Sequence, residues 1–191
     1  MNRQLILVSA SRRRHKILTD LGVDFDVEIP DVEEVCFDDD PRQTVCENAG
    51  RKAAWGRARR PGMCLLAADT VIDFGGQVVS KPESLDEARK MLQAFSGTIH
   101  DVLTGVALYA PAGATRIHVE KSTVQFRSFS EETIERYFAS VDPLDKAGGY
   151  DIDQHPEAII SSFSGSRTNI MGLPAGIVRQ WLVEQRIGMR R

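Results

Sequence analysis

The chain has 191 residues, of which 42% are hydrophobic and 27% charged, and its formal net charge is -3. This composition is typical of a globular protein with its own hydrophobic core, and we expect a single domain over residues 1–191. The small net charge argues against a partner such as long nucleic acid, and no apolar run is long enough to predict a membrane span. Cys36, Cys46 and Cys64 lack the spacing of a disulfide framework or a zinc site, so we expect a reducing compartment, the cytoplasm.

The first third of the chain alternates between strand and helix patterns. Residues 4–8 form a short apolar run that predicts a strand, and apolar positions recur at helical spacing over 12–21. The pair Asp40-Pro41 is a typical helix start, because aspartate caps the free amides and proline fits the first turn. That second helix is expected to extend to Arg59.

The rest of the chain adds longer strands. Residues 63–73 form an apolar run typical of a buried strand, which Gly75-Gly76 is expected to turn back into residues 77–80. The remaining patterns predict a helix behind the Ser84/Glu87 capping box, a hairpin of 101–110 and 116–127 around Pro111-Ala112-Gly113, a helix from Ser130, and a helix from Pro174 to Arg186. Strands and helices mix without strict alternation, which favours an α/β fold with a mixed sheet.

At two places in the sequence, carboxylate residues have apolar neighbours on both sides. Asp69 and Thr70 interrupt the apolar run of the third predicted strand, where a carboxylate is costly unless it is paired or binds a cation. Glu33 and Glu34 lie between two valines. The alternative readings are a satisfied carboxylate at a strand end and a solvated turn. Together with cations such as Lys81, which follows the hairpin from Asp69, they fit a site for a metal-bound polyphosphate.

The segment SASRRR, residues 9–14, follows the first predicted strand. Hydroxyl groups and free backbone amides at a helix start form an anion site, and arginine adds donors matched to phosphate oxygens. The alternative is a capping serine followed by surface arginines, and no Walker loop occurs in the chain. Ser11 is expected to cap the helix and Arg14 to support the site.

Motifs distributed along almost the whole chain resemble the Maf family of nucleoside triphosphate pyrophosphatases. Family members begin with a strand and a serine-rich segment with paired arginines, as residues 9–14 do here. The other matching segments, in the family's order, are Glu33, Lys52-Ala53, Ala68-Asp69-Thr70-Val71, Lys81-Pro82, Phe95-Ser96-Gly97 with His100, Thr104-Gly105-Val106, Asp145-Lys146-Ala147-Gly148-Gly149-Tyr150 and Asn169-Ile170-Met171-Gly172-Leu173-Pro174. So many segments in a fixed order make the resemblance specific.

The resemblance implies a curved mixed β-sheet flanked by helices, two-lobed, with a central cleft for a nucleoside triphosphate and Mg²⁺ or Mn²⁺. Members of the family hydrolyse the bond between the α and β phosphates. Carried over by position, Asp69 is the proton acceptor and, with Glu33, a metal-site carboxylate. The same comparison assigns the triphosphate to Ser9, Arg13, Lys52 and Lys81, and the reading of the base to Arg13, Thr70 and Asp153 or Gln154.

Two departures from the family's pattern concern the substrate. Arg12 replaces a proline, and Asp153 falls where the base-reading glutamine is expected, with Gln154 one residue later. The match of Arg13 and Thr70 favours dTTP, UTP or modified pyrimidine triphosphates, with a broadened or altered specificity. The alternatives are the same chemistry on another base, such as 7-methyl-GTP, and a nucleotide-binding regulator of cell division with little turnover. A homodimer is left open.

Overall fold

A computed structural model of the chain describes residues 5–111, 113 and 115–189. Its centre is a seven-stranded mixed sheet in the order β2-β1-β3-β5-β6-β7, with β4 paired to β3. The strands are β1 (Leu5–Val8), β2 (Phe25–Glu28), β3 (Cys64–Phe74), β4 (Gln77–Val79), β5 (Ile99–Tyr109), β6 (Arg116–Phe126) and β7 (Ile160–Ser164). The predicted α/β class with a mixed sheet is therefore confirmed.

Strand β3 determines where the site forms, because its two halves have different neighbours on one edge. Its first half pairs in parallel with β1, as far as the Val8–Ala67 pair. Its last residues pair with β4, beginning at Ile72. The other edge pairs continuously with β5 from residue 65 to 73. Residues 68–71 are therefore the stretch of β3 that has β5 on one edge and neither β1 nor β4 on the other.

Helices cover the sheet, and local capping fixes where most of them begin. Ser11, Asp40, Ser84 and Ser130 each accept a hydrogen bond from the backbone amide three residues later, as the sequence predicted. The helices are α1 (Arg12–Asp20), α2 (Pro41–Arg59), α3 (Leu85–Phe95), α4 (Glu131–Phe138), α5 (Pro156–Ile159), α6 (Arg167–Ile170) and α7 (Ala175–Glu184), with a 3-10 turn at Ala147–Gly149. Within the described ranges, no helix has both the length and the apolar character needed to cross a membrane.

The buried side chains form separate clusters on the two sides of the middle of β3. One cluster joins β1, the first half of β3, α1 and α7, with Leu7, Leu66 and Trp181 among its members. Another joins the end of β3 to β6, α3 and α4, with Phe95 and Phe126 at its centre. The fold thus has two lobes, each with its own core, as predicted.

Several elements differ from the predicted ones. Strands β2 and β7 were not predicted, since β2 alternates apolar and polar residues over only four positions and β7 is mostly polar and exposed. The four-residue helices α5 and α6 were also missed, because they are too short for a period to show. The hairpin of β5 and β6 is confirmed, although Ala112 of its predicted turn lies outside the described residues.

His100, buried beside Phe95 and Phe126, makes the free energy of unfolding depend on pH. His100 is enclosed by aromatic rings, its Nε2 lies 2.8 Å from the Tyr150 hydroxyl, and its Nδ1 has no hydrogen-bond partner among the described residues. Burial lowers the pKa of His100 from 6.5 to about 4. The unfolded chain therefore binds a proton at this residue below about pH 6.5 that the folded chain does not bind until about pH 4. The contribution of neutral His100 to the free energy of unfolding is therefore fully present above about pH 6.5, and it is lost as the pH falls from about 6.5 to about 4.

We expect His100→Gln to flatten the acid side of the stability profile. Between pH 7 and pH 5 the wild type should lose about 2 kcal/mol more of its free energy of unfolding than the variant does. Urea titrations at both pH values measure the difference. His118→Gln, which replaces a partly exposed histidine on β6, is the control and should follow the wild type. Parallel pH profiles for wild type and His100→Gln would contradict this account.

Candidate functional site

A cleft of about 760 Å³ opens beside residues 69–71 of β3, where one edge of that strand is paired with neither β1 nor β4. Its size lies within the usual range for small-molecule sites. The turn after β1, the middle of β3 and the loop that contains Tyr150 contribute to its walls. Polar and charged residues of the lining are Ser9, Ser11, Arg12, Arg13, Arg14, Glu34, Thr44, Asn48, Lys52, Asp69, Thr70, Ser80, Lys81, Asp142, Asp145 and Asp151.

Asp69 is a buried carboxylate held from two sides. Its Oδ1 accepts a hydrogen bond of 2.8 Å from Lys52 Nζ, and its Oδ2 accepts one of 3.1 Å from Asn48 Nδ2. The same Lys52 Nζ lies 2.6 Å from Glu34 Oε1, so one ammonium joins two carboxylates. Asn48 is fixed in turn by two hydrogen bonds with the backbone of Val35. These contacts orient the buried carboxylate and pair it with a cation.

The opposite wall carries a buried guanidinium. Arg14 Nε donates to the Gly172 carbonyl at 2.8 Å, NH1 donates to Ser9 Oγ at 3.3 Å, and NH2 donates to Thr70 Oγ1 at 3.0 Å. Among the described residues no carboxylate contacts Arg14 directly. Burial lowers the pKa of Arg14, and the charge of Asp69 partly offsets this effect. The guanidinium is thus a fixed positive charge that is free to attract an anion.

A second arginine connects the two lobes at the cleft. Arg13 NH2 donates to the Asp145 carbonyl at 3.2 Å, and its NH1 lies 3.8 Å from Asp151 Oδ2. Arg13 belongs to α1, whereas Asp145 and Asp151 belong to the loop that follows α4. Arg12 also lines the cleft, and no contact of its side chain explains why it stands in place of a proline.

The structure brings six of the predicted site residues together. Those that line the cleft are Ser9, Arg13, Lys52, Asp69, Thr70 and Lys81. Lys81 is exposed at the rim, whereas Ser9, Lys52 and Asp69 are buried.

Three predicted residues do not line the cleft. Glu33 is exposed and does not line the cleft, whereas its neighbour Glu34 lines it and contacts Lys52. Asp153 is turned toward Arg167, whose NH2 lies 2.6 Å from its Oδ1. Gln154 is exposed and approaches Asp151 with its Nε2 at 3.4 Å.

Four residues that line the cleft were not predicted as site residues with these contacts. Asn48 and Asp151 were not predicted at all, Arg14 was expected only to support the site, and Glu33 was expected where Glu34 lies. A signal for Arg14 was present, since it precedes Ile17 and Leu18 by three and four residues and so shares their buried face of α1. Glu34 was visible only as one of a pair. The sequence contains no periodic signal for Asp151, which lies in an irregular loop.

The carboxylates of the cleft have the chemistry that Mg²⁺ or Mn²⁺ requires, although they do not form a complete cage. Within the described ranges no group of three or more His, Cys, Asp or Glu side chains is arranged to hold a metal. Asp69 and Glu34 nevertheless present hard oxygen atoms around one cation, Lys52 Nζ. Mg²⁺ in nucleotide enzymes is commonly bound by one or two carboxylates together with substrate phosphates, so two carboxylates suffice.

Sequence comparisons relate this chain to a protein family and to named relatives. The profile of the Maf-like protein family matches residues 4–185. A dTTP/UTP pyrophosphatase of Thermotoga petrophila is 38% identical over 95% of this chain and 89% of its own length. A protein of the same name from Symbiobacterium thermophilum is 40% identical over 95% of this chain and 93% of its own.

Solved structures with a similar fold have diverged far in sequence. The Staphylococcus aureus Ham1 protein has a TM-score of 0.54 and 14% identity, over 96% of this chain and all of its own (100%). A HAM1 protein from Coxiella burnetii has a TM-score of 0.52 and 17% identity, over 95% of this chain and 99% of its own. At this identity the likeness concerns the fold alone.

Proposed function

The chain belongs to the Maf-like protein family, and from that premise we propose that it is a nucleoside triphosphate pyrophosphatase. It would hydrolyse the bond between the α and β phosphates and release a nucleoside monophosphate and pyrophosphate. The observation that supports this most is the position of Asp69, a buried carboxylate that faces the Ser9–Arg14 turn across a cleft large enough for a nucleotide.

The triphosphate would bind between the two walls. Ser9 Oγ already accepts hydrogen bonds from the Ser11 amide and from Arg14, so the turn is fixed before a ligand arrives. Arg14 supplies a buried positive charge, and Lys81 and Arg13 add charges nearer the rim. Because hydrogen bonds already hold Ser9 and Arg14, their side chains have little conformational freedom left to lose on binding.

Asp69 and Glu34 are the residues that would hold a divalent cation, Mg²⁺ or Mn²⁺, with Glu34 taking the role that the sequence assigned to Glu33. A cation bound there would neutralise charge on the phosphate oxygens and lower the pKa of water. The chain's own contribution is the fixed orientation of the two carboxylates by Lys52 and Asn48.

Asp69 would accept the proton of the attacking water. A carboxylate can act as a general base when it is within hydrogen-bond reach of the water, and the contacts of Lys52 and Asn48 hold Asp69 in a fixed orientation in the cleft. Lys52 would also move toward the phosphate oxygens as they gain charge. Arg14 stabilises the same charge from the other wall.

For the base, we propose that pyrimidines are the main substrates, since the relatives named above are dTTP/UTP pyrophosphatases. Arg13 and Thr70 line the cleft, in agreement with the roles expected for them. Asp153 and Gln154 do not; of residues 151–154, Asp151 and Ile152 line the cleft, and Asp151 is the polar one.

The cytoplasm remains our proposal for the compartment. Among the described residues, none of Cys36, Cys46 and Cys64 forms a disulfide, which suits a reducing environment.

A nucleotide panel tests the proposed activity. Purified protein with Mg²⁺ or Mn²⁺ is incubated with natural, modified and methylated nucleoside triphosphates, and pyrophosphate is measured. We expect release from at least one pyrimidine triphosphate, at a rate that exceeds the rate for 7-methyl-GTP. Tight binding with the triphosphate recovered intact across the whole panel would instead support a regulator without turnover and contradict the proposal.

A further inference from the structure

Asp151 is a buried carboxylate in the cleft wall that the phosphate chemistry does not use. It is 5% exposed, and its Oδ1 accepts a hydrogen bond of 2.8 Å from the Asp153 amide. Its Oδ2 has only longer contacts, at 3.4 Å to Gln154 Nε2, 3.8 Å to Arg13 NH1 and 4.0 Å to Lys146 Nζ. One oxygen of Asp151 is therefore an acceptor with spare capacity, directed toward Arg13 on the facing wall.

The backbone of Asp151 is fixed independently of any ligand. The Tyr137 hydroxyl accepts a hydrogen bond of 2.9 Å from the Asp151 amide and donates one of 3.2 Å to its carbonyl. The preceding Tyr150 is held by His100 through its own hydroxyl. Asp151 is thus preorganised, which is a requirement for discrimination between similar ligands.

The surroundings of Asp151 fit the base of a nucleotide better than its phosphates. Tyr150 and Ile152, its neighbours in the chain, belong to the apolar core of the second lobe and line the cleft. The loop also places Asp142 and Asp145 in the cleft wall, and carboxylates repel a triphosphate. The triphosphate would therefore lie toward Arg14 and Lys52, and the flat, largely apolar base would lie toward Asp151.

We propose that Asp151 is a specificity-determining residue that admits pyrimidines with a 4-amino group, the cytosine class, in addition to uracil and thymine. This inference rests on the proposed function. The 4-substituent of a pyrimidine points away from the sugar and would reach Asp151, whereas ring N3 lies nearer the sugar, toward Arg13. Cytosine offers a donor at position 4 and an acceptor at N3, which match the carboxylate and the guanidinium. Uracil offers the reverse order, with a carbonyl oxygen facing the carboxylate.

The sharpest test compares CTP with UTP, which share sugar and phosphates and differ at the 4-position and N3. We expect the wild type to have a kcat/KM for CTP within about tenfold of that for UTP. Asp151→Asn, whose amide can donate to a carbonyl, should lower the CTP/UTP ratio of kcat/KM by roughly tenfold or more. Glu157→Gln, an exposed residue of α5 close to the same loop, is the control and should leave the ratio unchanged.

The outcomes separate this inference from the proposed function. If the wild type releases pyrophosphate from UTP but its kcat/KM for CTP is more than about a hundredfold lower, the inference is overturned and the proposed activity stands. An unchanged ratio in a folded Asp151→Asn variant overturns it as well. If that variant does not fold, the wild-type comparison alone decides. No pyrophosphate from any nucleotide would reject the proposed function itself.

Discussion

Asp69→Asn is expected to reduce pyrophosphate release by roughly 10²–10⁴-fold while the protein remains folded. Asparagine keeps the shape of the side chain but cannot accept a proton. Its oxygen can still accept the hydrogen bond from Lys52 Nζ, whereas its amide nitrogen would face Asn48 Nδ2, a donor. We expect a stability loss of only about 1 kcal/mol, from one lost hydrogen bond, because Lys52 keeps its ion pair with Glu34 and no charge is left unpaired.

The control for this variant is Asp73→Asn, on the same strand. Asp73 accepts a hydrogen bond from the Gly76 amide in the turn between β3 and β4 and does not line the cleft. It should retain turnover. Steady-state kinetics with saturating Mg²⁺, together with urea unfolding, measure both effects. A folded Asp69→Asn protein with more than a tenth of wild-type turnover would show that another group accepts the proton.

Lys52→Met is expected to impair both stability and turnover. Methionine keeps most of the apolar stem but leaves buried Asp69 without its cation, and breaking such a pair costs about 3 kcal/mol. Turnover should fall by roughly 10²-fold or more, because a donor to the reacting phosphate is also lost. Here stability and activity decline together, unlike in Asp69→Asn.

An exposed ion pair provides the matched control for Lys52. Lys16 contacts Asp20 one turn later on α1, and both side chains are well exposed. Lys16→Met should change the free energy of unfolding by less than about 0.5 kcal/mol, because solvent screens such pairs. Chemical denaturation of the two variants gives the comparison. A Lys52→Met protein as stable as Lys16→Met would mean that buried Asp69 does not depend on Lys52 for its stability.

Local signals in the sequence predict most of the fold. Helix starts depend on a capping side chain and a few neighbours, so Ser84 and Asp40 could be recognised without any tertiary information. Strand β3 was visible because it is buried along most of its length. Strand β2 alternates apolar and polar residues over only four positions, too few for a strong strand signal, and it pairs with the edge that β1 offers.

Some residues of the site could likewise be predicted from the sequence, whereas others could not. Asp69 could be predicted because a charged residue inside an apolar run has to be paired or functional. The choice between Glu33 and Glu34 depends on the path of a loop that is held by tertiary contacts, among them the Val35–Asn48 hydrogen bonds. The role of Asp151 depends likewise on the Tyr137 hydroxyl, a contact between residues 14 positions apart. Such contacts arise from tertiary structure and leave no periodic trace in the sequence.

The products formed from one nucleotide test the central claim most directly. Phosphorus NMR of UTP incubated with the wild-type protein and Mg²⁺ distinguishes the two phosphoanhydride bonds, because each cleavage gives a different pair of products. We predict UMP and pyrophosphate in equal amounts, with no UDP at any time. Appearance of UDP with inorganic phosphate would show cleavage at the outer bond and would contradict the function proposed here.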